Sequence, residues 1–213
     1  MIGFLRDVIR GKTIYRILFQ RALYRNKEYI TGRVLDLGSG GSPSYYKCLD
    51  MVGREFIKTD YTPRPGVDRV VDFTQPLPFP DASFNTVCIF HALYIAPDPQ
   101  IVLKEIRRVL VKDGVIVISM PFIANEMPEP HDYHRYTLEG LNLLFSEANF
   151  TPIVQERIGE RFTAATYILT PFYLFWPIKL IAYAKAILLD KFIPTKIREK
   201  HPFPIGYFYV ARK

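Results

Sequence analysis

The hydrophobic pattern divides the chain into a middle stretch of α/β rhythm and two unusual flanks. From Val34 to about residue 150, short apolar runs alternate with segments of helical period. The runs are Val34–Leu37, Glu55–Asp60, Val67–Phe73, Thr86–Phe90 and Val115–Met120. Thr86–Phe90 has the length and β-branched content of a strand buried on both faces. Tyr45–Met51, Pro99–Leu110 and Leu138–Ala148 read as helices. Pro99 suits a first helical turn, and Ile101, Val102, Ile106, Val109 and Leu110 mark the buried side of its helix. Thr137 can cap the third helix with its hydroxyl, although Gly140 stands where a full capping box needs an acid or amide. A closing strand is expected at Ile205–Ala211. This alternation predicts an α/β fold, a doubly wound and mostly parallel seven-stranded sheet.

The flanks are of another kind. Residues 4–30 form a basic amphipathic pattern with a break at Gly11-Lys12: Ile14, Leu18 and Ala22 recur every four residues, while Arg16, Gln20 and Lys27 take another face. Such a helix covers the edge of a core or lies on a membrane. Near the other end, Phe162–Ile178 carries no charge but is interrupted by Pro171 and Pro177. A spanning helix needs about 20 apolar residues, and Lys179 and Lys185 follow at intervals suited to a surface. The expected organisation is an arm over 1–32 and a domain over 33–213, with a hydrophobic helical insert at about 162–200 before the last strand. The insert reads as an interfacial or re-entrant element with Trp176 at headgroup level, or as a helical hairpin on the core, or as a homodimer interface.

Composition narrows the class. A chain of 213 residues suits one domain with a sizeable core. Cys48 and Cys88 lie far apart, outside any C-x-x-C pattern, which argues against a disulfide framework or metal cluster. Residues 1–7 lack the apolar run of a signal peptide, so a cytoplasmic setting is expected. The net charge of +7 is unevenly spread: residues 1–33 carry +6, 34–150 carry −5 and 151–213 carry +6. Basic flanks around an acidic middle suit an anionic membrane surface, here the cytoplasmic leaflet, better than a nucleic acid coating the whole protein. They also serve solubility alone.

Candidate chemistry begins at Val34-Leu35-Asp36-Leu37-Gly38-Ser39-Gly40-Gly41-Ser42-Pro43, a strand running into a glycine-rich turn. A dinucleotide turn wants G-x-G-x-x-G, and Pro43 occupies the third glycine position. An acid at this place suits a cationic ligand, S-adenosylmethionine, better than a pyrophosphate; a plain tight turn is the alternative. Asp60 ends the second strand 24 positions beyond Asp36, the distance of one β-α-β unit, so it is placed for a ribose or else serves as a turn acid.

Taken in order, these motifs resemble the class I S-adenosylmethionine-dependent methyltransferases, of a type 11-like pattern, over roughly residues 33–155. The resemblance rests on Val34–Gly40, the strand-end Asp60, Asp72 before Leu-Pro-Phe-Pro-Asp-Ala-Ser-Phe, and Ile106–Leu110 leading to Asp113-Gly114. It implies that Asp36, Gly38, Ser39 and Gly40 hold the methionine end of the cofactor. It also implies Asp60 with Tyr61 at the ribose, and Asp72 with Phe73 beside the adenine. Three departures stand out: Ser42 for another glycine, Asn85 for an aspartate, and Tyr94-Ile95 for a Glu-His pair. His91 is a candidate for the methionine end, or a hydrogen-bonded structural histidine.

After the fifth strand, His131-Asp132-Tyr133-His134-Arg135-Tyr136-Thr137 is more polar than a connector requires, and resembles a segment of methyltransferases associated with envelope and glycan chemistry. In doubly wound folds this loop lies where ligands bind. His131 or His134 is a candidate base oriented by Asp132, with Tyr133, Arg135 and Tyr136 toward the acceptor. Alternatively Arg135 pairs with Asp132 or Glu129 and the segment is a rigid lid. The expected function is methyl transfer to a small or lipid- or glycan-linked acceptor, a hydroxyl by preference, at a membrane surface. RNA methylation and a non-catalytic membrane adaptor are the alternatives; Phe90-His91-Ala92-Leu93 offers no Asn-Pro-Pro-Tyr or Asp-Pro-Pro-Tyr motif for base amino groups.

Overall fold

A computed structural model describes residues 2–41, 43–49, 54–128 and 131–213. In chain order its elements are α1 (Ile2–Ile9), α2 (Ile14–Arg25), β1 (Arg33–Leu37), β2 (Glu55–Asp60), β3 (Arg69–Val70), β4 (Phe84–Phe90), α3 (Pro99–Val109), β5 (Leu110–Pro121), α4 (Leu138–Glu147), β6 (Thr151–Ile158), α5 (Arg161–Ile168), α6 (Trp176–Lys191), α7 (Thr195–Lys200) and β7 (Gly206–Arg212). Among the described residues the strands form one seven-stranded sheet in the order β3-β2-β1-β4-β5-β7-β6. The first five run parallel, and β7 inserts antiparallel between β5 and β6. β4 and β5 are paired, with Cys88 opposite Val117. The order reverses between β1 and β4, so a crevice opens at their carboxyl ends.

The two-residue pleat sorts the apolar side chains onto two faces. Leu35, Leu37, Val87, Ile89, Ile116 and Ile118 pack with Val102, Leu103 and Ile106 of α3 and with Leu141 and Phe145 of α4. Val34, Cys88, Phe90, Val117, Phe208 and Val210 point the other way, to Ile14, Ile17, Phe19 and Leu23 of α2 and to Ala164, Tyr183 and Ala186 of α5 and α6. Covering both faces is what lets the central strands be apolar throughout.

Several expectations are adjusted. The break at Gly11-Lys12 is present, between α1 and α2. The helix expected at Tyr45–Met51 is a 3-10 segment, Ser44–Cys48, ended by the extended Leu49, while Asp50 and Met51 lie outside the described residues, as does Ser42. The strand expected at Val67–Phe73 narrows to Arg69–Val70 at the sheet edge, because Asp72 turns the chain by accepting the Thr74 N–H at 2.9 Å. In α3 the buried side is Val102, Leu103, Ile106 and Val109, and Ile101 is exposed: at 100° per residue Leu103, not Ile101, faces the sheet. The Thr137 cap holds, its Oγ1 accepting the Gly140 N–H at 3.1 Å, and α3 is capped by Asp98, which accepts the Gln100 N–H at 2.9 Å.

The insert is a helical hairpin standing on the sheet. Asp190, near the end of α6, accepts the N–H groups of Phe162 and Thr163 at 2.8 and 3.2 Å, and so caps the first turn of α5 across the hairpin. Its inner side packs on the arm, α5 against α2 and α6 against α1. Its outer side is bare: Ile168, Leu169, Phe172, Leu174, Phe175, Trp176, Ile178 and Ile181 are all exposed, Leu174 at 81%. No described helix is long and apolar enough to cross a membrane.

Candidate active site

The crevice at the switch point is built around β1. Its pleat buries Asp36 on the arm side of the sheet, where Oδ2 accepts the hydroxyls of Tyr45 and Tyr46 at 2.7 and 2.6 Å. Asp36 Oδ1 is buried with no hydrogen-bond partner among the described residues. Burial pushes the carboxyl up to about 6, against the opposing pull of the Tyr46 and Tyr45 hydrogen bonds. An ionised carboxylate with one desolvated, unpaired oxygen is a strong call for a cation.

The glycine loop is tied down on one side and open on the other. Ser39 N–H donates to Thr59 O at 2.8 Å, and Gly40 N–H to Asp60 Oδ2 at 2.8 Å. Gly38 has φ +71°, and a Cβ there would stand 3.1 Å from that of Ala92. Gly40, at φ +68°, would meet nothing within 4 Å, which leaves its outer side free for a ligand. Asp60 also accepts the Thr62 N–H at 3.0 Å, so each carboxylate oxygen already holds one N–H and keeps a further lone pair. Beyond it lies a cavity of about 230 Å³ lined by Tyr61, Asp72, Phe73, Thr74, Ile95, Pro97, His131 and Tyr133.

A segment after β5 roofs this cavity. Asp132 forms an ion pair with Arg135 through both guanidinium nitrogens and also accepts the Met127 N–H at 2.8 Å. The Arg135 hydrogen bonds hold the Asp132 carboxyl below the usual carboxylate range. Arg135 lies 5.3 Å over the Tyr94 ring, and Tyr133 N–H donates to Tyr94 O at 3.0 Å. The lid therefore docks on the residue that stands in the Glu-His position.

Comparison with known proteins decides what this architecture is. Residues 35–118 match the model of a family described as "Methyltransferase domain". Over that stretch the chain is similar to a methyltransferase domain. Among curated proteins, it is 29% identical over 110 residues to a phosphatidylethanolamine N-methyltransferase of Cereibacter sphaeroides, a match covering 46% of this chain and 54% of the relative. The chain thus spans about half the length of that relative. In fold it is similar to an Archaeoglobus fulgidus S-adenosylmethionine-dependent methyltransferase, at 18% identity and a TM-score of 0.62 over 100% of each chain. It is likewise similar to the 1,6-didemethyltoxoflavin-N1-methyltransferase of Burkholderia thailandensis, solved with S-adenosylhomocysteine, at 17% identity and TM-score 0.61 over 98% of this chain and 81% of that one.

S-adenosylmethionine is the cofactor that these similarities imply, and the residues present fit it. Asp60 holds the glycine loop and Asp72 lines the adjoining cavity, while the buried Asp36 keeps one oxygen without a partner among the described residues, which suits a ligand with a cationic end. A pyrophosphate there would face that same carboxylate. Asp36, Gly38, Ser39, Gly40 and Asp60 converge on the loop, and Tyr61, Asp72 and Phe73 line the adjoining cavity.

The proposed catalytic set fares differently. Asp132 orients no imidazole, because Arg135 and Met127 N–H take its oxygens. His134 Nε2 lies 3.2 Å from Pro97 O with its ring stacked on Tyr136, and His131 lines the cavity with Asp72 and Phe73. Arg135 pairs with Asp132, the partner that the alternative reading named first. His91 sits at the seam of arm and sheet with φ +53°, its Nδ1 3.1 Å from Tyr15 OH, which lies 3.2 Å from Ser119 Oγ. Burial, and secondarily the Arg16 guanidinium, push its pKa down to about 3, so it is neutral at pH 7. His91, Tyr15, Lys12, Arg16, Met127 and Tyr167 line a second cavity of about 270 Å³.

The sequence reading passed over Tyr45 and Tyr46, which hold Asp36, and Tyr15, which holds His91. A pair of tyrosines directly after a glycine loop was the one visible signal for the first. Nothing local marks Tyr15, 76 residues from its partner.

Proposed function

We propose that this chain methylates the headgroup of a membrane lipid while seated on the membrane by its arm and insert. The observation that carries the reading is the bare apolar crest of the insert, flanked by Lys179, Lys185 and Lys191 and packed against the basic arm on the same face of the sheet. Exposed apolar patches larger than a few hundred Å² mark interaction surfaces, and cations around this one favour an anionic bilayer over a protein partner. Tyr167, at the root of the crest, also lines the His91 cavity, so an acceptor held at the surface has a short way to the site.

When bound, S-adenosylmethionine supplies an electrophilic methyl on a sulfonium. The chain's own residues then position more than they activate. Asp36, Asp60 and the loop amides anchor the cofactor, and the lid shuts water from the adenine cavity. Holding the acceptor in line is worth roughly 7–11 kcal/mol. A hydroxyl acceptor would profit from a base. The histidine nearest the glycine loop is held neutral by burial, and Asp132 is engaged by Arg135. This favours an acceptor that carries its own nucleophile, an amine, over the hydroxyl expected from the lid motif. The relative's name, a phosphatidylethanolamine N-methyltransferase, points the same way.

The test is methyl transfer from tritiated S-adenosylmethionine to vesicles of phosphatidylcholine containing either phosphatidylethanolamine or phosphatidylglycerol, with RNA and soluble glycans in parallel. Label is expected in N-methylated phosphatidylethanolamine. Label confined to RNA or glycan would overturn the reading.

A further inference from the structure

On its arm side the glycine loop adjoins a cleft of about 360 Å³ lined by Arg6, Arg10, Lys12, Arg16 and Lys47, with Asp7 as the acid among them. Lys12 is engaged, 2.8 Å from Asp7 and 2.6 Å from Gln20 Oε1. Arg6, Arg10, Arg16 and Lys47 form no ion pair among the described residues. All four are exposed and come from two separate segments, and with no carboxylate paired to them among the described residues they concentrate positive charge around the cleft. The cleft is also built into the site. Gln20 Nε2 donates to Ser44 Oγ at 2.8 Å, stitching its floor to the end of the glycine loop. Lys12 and Arg16 line both this cleft and the His91 cavity, so the two spaces are neighbours that share these side chains.

We propose that the cleft is a phosphate subsite, which takes the phosphate or phosphodiester of the acceptor and leaves the acceptor's reactive group in the His91 cavity. The identity of that acceptor rests on the lipid reading above; the binding of a phosphate does not. Guanidinium forks match phosphate oxygens in pairs, and three arginines with a lysine suit a tetrahedral phosphate, with oxygens facing several directions, better than a planar carboxylate. The cavity's size also matters. A volume of about 360 Å³ is enough for one phosphate with its ester neighbours.

The test uses the whole protein and two probes, inorganic pyrophosphate and phosphatidylcholine vesicles carrying phosphatidylethanolamine. Two double variants, Arg10→Gln with Arg16→Gln and Arg6→Gln with Lys47→Gln, are compared with the wild type and with Lys196→Gln, a surface charge on α7. Calorimetry should show pyrophosphate binding to the wild type and Lys196→Gln, weakened about tenfold or more in each double variant, with S-adenosylmethionine affinity within about twofold. Absence of wild-type binding, or equal binding by the double variants, overturns the subsite whether or not lipid is methylated. Vesicle kinetics separate the sources. A rise in KM with kcat held assigns the phosphate to the lipid headgroup. Weakened pyrophosphate binding with no methylation of vesicles supports the subsite, for a soluble phosphate ester, and counts against the lipid reading alone.

Discussion

The two faces of the sheet solve the same burial problem in different ways. On one, α3 and α4 press Val102, Leu103, Ile106, Leu141 and Phe145 onto the strands and turn largely polar sides outward. On the other, the arm and insert bury Ile17, Phe19, Tyr183 and Ala186 just as completely, yet present a row of large apolar residues outward. The first face needs nothing more than the fold. The second has apolar surface left over, and the fold's own stability does not account for it. Inward positions in the insert should therefore govern stability, and outward positions should govern association.

The sharpest way to break this contrast is Tyr183→Ala. The residue is fully buried and its hydroxyl lies 3.2 Å from that of Thr170. Its loss should cost about 3–5 kcal/mol in urea denaturation, by analogy with large aromatic truncations. A cost under 1 kcal/mol would mean that the hairpin is not part of the cooperative core.

Asp36 belongs to the arm face as well, and its burial makes a pH prediction. Its folded pKa of about 6 lies above the ordinary 3.8, so the folded state keeps the proton to higher pH than the unfolded chain. The associated stability is fully present below the unfolded pKa and is lost as pH rises through about 6, in total on the order of 3 kcal/mol. Ligand-free protein should lose stability across that window, and Asp36→Asn should abolish this part of the slope. Cofactor affinity should run the opposite way, falling as pH drops below about 6, because a protonated Asp36 no longer attracts the ligand's cation. A flat affinity profile between pH 5 and 7.5 would remove Asp36 from the cofactor's contacts.

Outward positions come next. Phe172→Ser or Trp176→Ser should leave the melting temperature nearly unchanged but weaken flotation with anionic vesicles, each by about 1.5–3 kcal/mol if the side chain is fully buried in lipid. Leu143→Ser, a similarly exposed residue on the opposite face, should leave flotation as it was. Salt should weaken attachment without abolishing it, since the apolar term is not screened. Concentration-dependent dimers in place of flotation would make the crest a homodimer interface. The smallest effect expected is that of Thr137→Ala, about 1 kcal/mol from the lost cap of α4, with vesicle binding unaltered.

What the sequence determined by itself was whatever depends on near neighbours. Most of the strands, the helices after Asp98 and Thr137, the glycine turn, the Thr137 cap, the break at Gly11-Lys12 and the charge-free insert follow from periodicity, backbone preference and composition over a few residues. The strand-end acids were legible too, because a β-α-β unit fixes their spacing. Tertiary structure decided what depends on partners remote in the chain. By sequence Asp132 could orient a histidine or pair with Arg135, and the folded segment gives it to Arg135 and the Met127 N–H. His91 could be a candidate or a structural residue by sequence, and Tyr15, 76 positions away, determines what its Nδ1 touches. The arm and the insert became one surface only when α1 met α6 and α2 met α5. Local pattern says which side chains want burial or a partner, but long-range packing selects which partner each one gets, since the interior admits only arrangements that fill space and pair its polar groups.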